Sequence, residues 1–196
     1  MSGPDRRAET LNWSDLGVSE LPTGTVTLLL ADVEGSTRLW ETVPAEMTAG
    51  VARLDRTLTD LVATHSGVRP VEQGEGDSFV VAFARATDAV ECALRLQQAP
   101  LAPIRLRIGL HTGEVRLRDE GNYIGPTINR TARLRDLAHG GQTVLSGVTE
   151  ALVFDQLPNG ACSLILACTC CAMCRGRSGL RSCAIPISET NSRRCG

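Results

Sequence analysis

Residues 25–40 read TVTLLLADVEGSTRLW, and this stretch decides the fold: a run of strand formers ends in a carboxylate, and a glycine-containing turn then opens a helix. Val26, Leu28 and Leu30 share one side of a buried strand, Asp32 stands at its C-terminal end, and Gly35, Ser36 and Thr37 let backbone N–H groups point at an anion. That is the arrangement of a metal and phosphate site. An aspartate after a strand is also an ordinary turn residue, so the chemistry depends on what the rest of the chain brings beside it.

A chain of 196 residues suits one domain with tails and is long enough to bury a core. A net charge of −2 gives no basic footprint, which disfavours nucleic acid and anionic membrane as partners and points to a small-molecule substrate. All 20 basic residues are arginine, so any protein cation in a site is a guanidinium. The N-terminus, MSGPDRRAET, lacks the apolar core of a signal peptide, and the longest early apolar run is of strand length; the expected location is cytoplasmic. Of 8 cysteines, Cys92 alone precedes residue 160 and the others crowd into 162–195, a skew that marks a boundary.

Outward from the opening stretch, residues 1–23 are polar and read as a disordered arm. Met47, Val51, Leu54, Leu58 and Leu61 recur at helical spacing up to a stop at Gly67. Residues 68–73 and 78–83 flank Gly74-Glu75-Gly76-Asp77 and predict a hairpin with Asp77 at its tip. A helix with Thr87 as N-cap follows, ending before Pro100 and Pro103, with Cys92 an inert member. Residues 104–110 alternate as a strand, with Arg105 and Arg107 on one side and Ile104, Leu106 and Ile108 on the other. Gly125-Pro126 opens a further helix, on which Asn129 and Arg133, four apart, share a face. This order predicts an α+β sandwich whose helices cover one face of a largely antiparallel sheet.

Asp32 after one strand and Asp77 in the hairpin turn of a neighbouring one could stand together at the sheet edge and share divalent ions, since Mg²⁺ takes one or two carboxylates plus water and substrate phosphate oxygens. Two turn aspartates account for the same spacing equally well. The block 122–133, NYIGPTINRTAR, breaks the tie.

Taken together, LLLADVEGSTRL, GEGDSFVVAF, GLHTGEV and NYIGPTINRTAR, in that order across residues 24–154, resemble the catalytic domain of the class III nucleotidyl cyclases, the adenylate and guanylate cyclases. The resemblance implies a ferredoxin-like, palm-type α+β fold over residues 24–160. It implies that Asp32 and Asp77, with the Val33 carbonyl, hold two Mg²⁺ or Mn²⁺ ions per site, and that Gly35, Ser36 and Thr37 cradle the triphosphate. Asn129 matches the residue that orients the ribose, and Arg133 the one that stabilises charge on the α-phosphate. The implied reaction is attack of the ribose 3′ oxygen on the α-phosphorus of ATP, releasing pyrophosphate and leaving 3′,5′-cyclic AMP. In the family the metals bind one protomer while the Asn and Arg come from the other, which implies a homodimer. Where many adenylate cyclases read adenine with Lys and Asp, this chain has Gln73 and Asn122; two amides accommodate an adenine or, after rotation, a guanine edge, which predicts ATP use with weak discrimination against GTP.

Residues 161–196 depart from the family. The strand pattern dissolves into ACSLILACTCCAMCRGRSG, a Cys-rich, irregular tail expected to be disordered, with no second ligand cluster at zinc spacing. A shift of reading frame accounts for it: with GC-rich codons for 173–196, reading from the third base yields VPRPERVAQLCHPDLRNEFPPLR, similar to the usual close of this subgroup. The shift removes a basic residue that binds the terminal phosphates, for which Arg118, on the loop before Asn122, is a partial substitute, and it predicts a missing last strand and an open sheet edge. The alternatives are a weak or inactive cyclase-like module that binds nucleotide and dimerises, and a diguanylate cyclase, suggested by Gly76-Asp77-Ser78-Phe79 but without a place for NYIGPTINRTAR. His65, His111 and His139 are assigned no metal or catalytic role.

Overall fold

Strand β1 (Gly24–Val33) is buried along both of its faces and lies inside the sheet. It pairs antiparallel with β2 (Ser78–Phe83) on one side and with β3 (Leu106–Arg118) on the other. A short β4 (Asn122–Ile124) folds back on the end of β3, while β5 (Gln142–Ser146) runs parallel to the start of β3. With β6 (Ser182–Pro186) antiparallel to β5, the order is β2-β1-β3-β5-β6. The computed structural model describes residues 20–70, 76–118 and 121–156 together with the backbone of 182–186.

The helices are α1 (Ser36–Thr42), α2 (Pro44–Thr64), α3 (Ala86–Gln98), α4 (Pro126–Leu137) and α5 (Gly147–Val153), the last running into a 3₁₀ turn at Phe154–Gln156. The predicted α+β architecture holds, but the helices do not all lie on one face. Met47, Leu54, Leu58 and Val62 of α2, the apolar side of α3, and Val153 of α5 pack with Leu29, Ala31, Ile108 and Leu110. On the other face Ile128 and Ala132 of α4 meet Val26, Leu28 and Leu30, and Leu134 meets Val144. The reason is in β1: a strand with leucines on both sides must be covered on both sides.

Several boundaries differ from the sequence reading. The inward stripe of α2 runs through Gly50 and Val62, leaving Val51 and Leu61 partly buried at its margin. Helix α3 begins two residues earlier than expected, with Arg85 rather than Thr87 at its cap. β3 continues through 111–118, so Arg118 ends a strand instead of sitting on a loop. The predicted hairpin survives as an antiparallel bridge, Val68 and Ala82 exchanging N–H···O bonds of 2.9 and 2.8 Å. Gln73 and the first part of the tip, within 71–75, lie outside the described residues. The expected open edge beside β5 is corrected: Ser182–Pro186 pairs there. An unpaired row of backbone groups is a template for any short extended segment, and a proline ending that segment is tolerated on an edge strand. The rest of the tail and the arm up to residue 19 are outside the described residues.

Candidate active site

β1 delivers Asp32 to the sheet end, where it faces Ser78 of β2 and Arg107 of β3 in register. The next residue, Val33, buries its side chain and donates its N–H to the Asp77 carbonyl oxygen at 3.2 Å. The two candidate carboxylate positions are thus neighbours across the β1–β2 end. Gly76 enters that turn at φ +61, a left-handed conformation that favours glycine. Gly35 does the same at φ +64 before α1, with open space where a Cβ would project and no side chain capping the helix. The first intrahelical bond there runs from Leu39 N–H to the Gly35 carbonyl at 3.1 Å, so the N–H groups of Ser36, Thr37 and Arg38 precede the helical ladder.

The Asp32 carboxylate is largely buried and held by arginine. Arg107 donates from Nε to Oδ1 at 2.8 Å and from Nη2 to Oδ2 at 2.5 Å, a bidentate fork. Hydrogen bonding to Asp32 raises the Arg107 pKa above its usual value. Arg135 of α4 approaches the same Oδ2 with Nε at 3.5 Å, while its other bonds go to Asp136. Neither arginine was singled out as a site residue from sequence. The alternation of residues 104–110 put Arg107 on one side of its strand; that Asp32 lies across from it is a matter of strand pairing, which that pattern does not encode.

α4 sits close to the sheet because β3 offers Gly109 beneath it: a Cβ there would fall 2.6 Å from the Thr131 carbonyl oxygen and 3.0 Å from Arg135 Cα. Thr127, Thr131 and Leu134 form its buried side, whereas Asn129 and Arg133 share an exposed side, as their spacing predicts. Within one chain, the α4 residue that meets Asp32 is therefore Arg135. Asn122 is buried on β4, paired in register with Arg118.

Among the described residues no group of three or more His, Cys, Asp or Glu is placed to hold a metal. Asp32 in β1 and Asp77 in the turn just before β2 nevertheless form the hard, oxygen-only donor set that Mg²⁺ completes with water and phosphate oxygens, so the residues fit a divalent ion. His111, one strand away, belongs to a buried chain of polar groups: its Nδ1 is 2.8 Å from Ser146 Oγ, which lies 3.0 Å from Thr149 Oγ1, itself 3.0 Å from Thr112 Oγ1. Burial and, secondarily, Arg130 lower the His111 pKa, and burial pushes the Cys92 thiol up to about 12, consistent with an inert role.

The profile of the adenylate and guanylate cyclase catalytic domain matches residues 18–157, and the chain belongs to that family. It is 62% identical over 159 residues to the uncharacterized protein Rv0891c of Mycobacterium tuberculosis, covering 81% of this chain and 55% of the relative, and 58% identical over 133 residues to the uncharacterized protein Rv1359 of the same species, covering 68% and 53%. The chain thus spans about half the length of these curated relatives. A solved adenylate cyclase structure from Trypanosoma brucei, in its monomeric state, superposes with a TM-score of 0.66 at 26% identity over 85% of this chain and 93% of that one. Among the described residues no helix is long and apolar enough to cross a membrane.

Proposed function

We propose that this domain converts ATP to 3′,5′-cyclic AMP and pyrophosphate, with weak discrimination against GTP, in sites assembled across a homodimer. One observation carries the reading: Asp32 faces the inner side of α4, while Asn129 and Arg133, the residues expected to act on ribose and α-phosphate, stand on its exposed side. A second copy that presented its own α4 to the Asp32 and Asp77 end of the sheet would complete the set, and symmetry would make two such sites.

In this site Asp32, Asp77 and the Val33 carbonyl hold Mg²⁺ or Mn²⁺, which when bound lowers the pKa of the attacking hydroxyl and neutralises triphosphate charge. The N–H groups of Gly35, Ser36 and Thr37 hold phosphate oxygens at the turn into α1. The partner's Asn129 orients the ribose, and the partner's Arg133 meets charge that develops on the α-phosphate. Asn122 and Gln73 read the base edge through their amides. Phosphoryl transfer depends on positioning and electrostatics, so a protein nucleophile is not required. Residues 24–160 form the catalytic unit, and 161–196 are the aberrant tail that limits its rate.

The test is complementation. Asp32→Ala and Arg133→Ala chains are each expected to be inactive as homodimers, and equal mixing is expected to restore roughly a quarter of wild-type cyclic nucleotide formation, since half the dimers carry one intact site. No recovery, with dimers confirmed by sedimentation, would remove the shared site. Rates with GTP exceeding those with ATP several-fold would overturn the substrate assignment.

A further inference from the structure

We infer that Arg135 is a positioning residue that occupies the Asp32 carboxylate in competition with a divalent cation, so that loading of the site releases a side-chain contact between α4 and the end of β1. The inference rests on the two-ion reading of Asp32 above and adds a residue to it.

Two guanidinium groups converge on Asp32, but they are held unequally. Arg107 grips both oxygens from the facing strand position, at 2.8 and 2.5 Å. Arg135 stands 3.5 Å from Oδ2, an ion pair outside good hydrogen-bond geometry. Its stronger bonds go to its neighbour Asp136, 3.1 Å from Nε and 2.8 Å from Nη2 to the same Oδ1. Arg135 therefore has a second anionic partner and can leave Asp32 without becoming unpaired, which Arg107, with its fork on Asp32, cannot do as readily.

Mg²⁺ binds carboxylate oxygen at roughly 2.0–2.1 Å. An ion bound at Oδ2 would bring two positive charges against a guanidinium already at that atom, at a side chain only 13% exposed and so weakly screened. The Arg135 guanidinium is the group with a second partner to move toward. Because the backbone at Arg135 is seated directly over Gly109, its contact with Asp32 is also a contact between the inner face of α4 and the metal-binding strand end. The outer face of the same helix carries Asn129 and Arg133.

The experiment is Mn²⁺ titration of the full, nucleotide-free chain with free Mn²⁺ read by electron paramagnetic resonance, using Asp32→Ala to define the Asp32-dependent component. Arg135→Gln is expected to tighten that component roughly tenfold, because one competing charge is gone. Arg135→Lys, which keeps the charge on a side chain of similar reach, is expected to stay within about threefold of wild type. Equal Asp32-dependent affinity in wild type and Arg135→Gln would overturn the competition while leaving the two-ion reading intact. Equal tightening by Gln and Lys would overturn it too, since charge would then not be the cause. Absence of any Asp32-dependent Mn²⁺ binding in all variants up to millimolar concentration would overturn both.

Discussion

Replacing Gly109 by alanine is expected to lift α4 from the sheet. The new methyl would sit 2.6 Å from the Thr131 carbonyl oxygen and 3.0 Å from Arg135 Cα, where ordinary contact begins at 3.4 Å. These atoms and the still nearer Arg135 backbone nitrogen all belong to the helix backbone, so no rotamer change relieves them, and the helix must retreat by about 1 Å at this point. That displacement loosens Leu134 against Val144 and the packing of Ile128 and Ala132 on β1. Overpacking of this kind costs about 2–3 kcal/mol, or a fall in Tm of roughly 5–10 °C for a domain of this size. Asn129 and Arg133 ride on the same helix, and a misplacement of about 1 Å costs on the order of 10²-fold in rate. Scanning calorimetry and a cyclic nucleotide assay read the two effects separately. Gly113→Ala provides the graded comparison: its methyl would meet Thr127 Oγ1 at 3.0 Å and His111 Nε2 at 3.3 Å, buried side-chain atoms that need shift by only a few tenths of an ångström, so its cost is expected below that of Gly109→Ala. A Gly109→Ala chain with Tm within about 2 °C of wild type and unchanged turnover would refute the reasoning.

Two further outcomes follow from the buried polar chain. His111 has a folded pKa below its unfolded value near 6.5, so the unfolded chain binds the extra proton first; the stability this preserves is complete above pH 6.5 and is lost as pH falls toward the lowered pKa. Urea midpoints measured from pH 7.5 downward should therefore drop below pH 6.5, and His111→Gln should flatten that part of the profile; a profile identical in the two proteins would count against the assignment. Ser146→Ala removes the side chain that caps α5, where Thr149 N–H reaches Ser146 Oγ at 3.3 Å, and strips a partner from His111 and from Thr149 Oγ1. The expected cost is about 2–4 kcal/mol, and an unfolding free energy within about 0.5 kcal/mol of wild type would show that the network carries no such weight.

Much of this molecule is legible in local sequence pattern. Residues 25–40 announced a strand ending in Asp32 and a turn into a helix, and β1, Gly35 and α1 stand there. Gly125-Pro126 marked the start of α4, whose 3.6-residue period put Asn129 and Arg133 on one exposed side. Such features depend on neighbours in the chain, through steric limits on φ and the repeat of the helix. β5 and α5 carry no comparable signal: β5 is buried on both faces and so does not alternate, and α5 follows it directly, with no intervening turn between them.

By itself, then, the sequence determined the family, the α+β class and the identity of the candidate carboxylates and helix residues, since each of these is written in motif and spacing. Tertiary structure decided who faces whom. That α4 covers the second face of the sheet, that Arg107 forks onto Asp32 from the strand across, and that Arg135 rather than Asn129 or Arg133 meets this carboxylate within one chain all come from strand register and a close approach at Gly109. Arg107 is 75 residues from Asp32 along the chain, and at that separation only the folded packing brings charges within reach of each other.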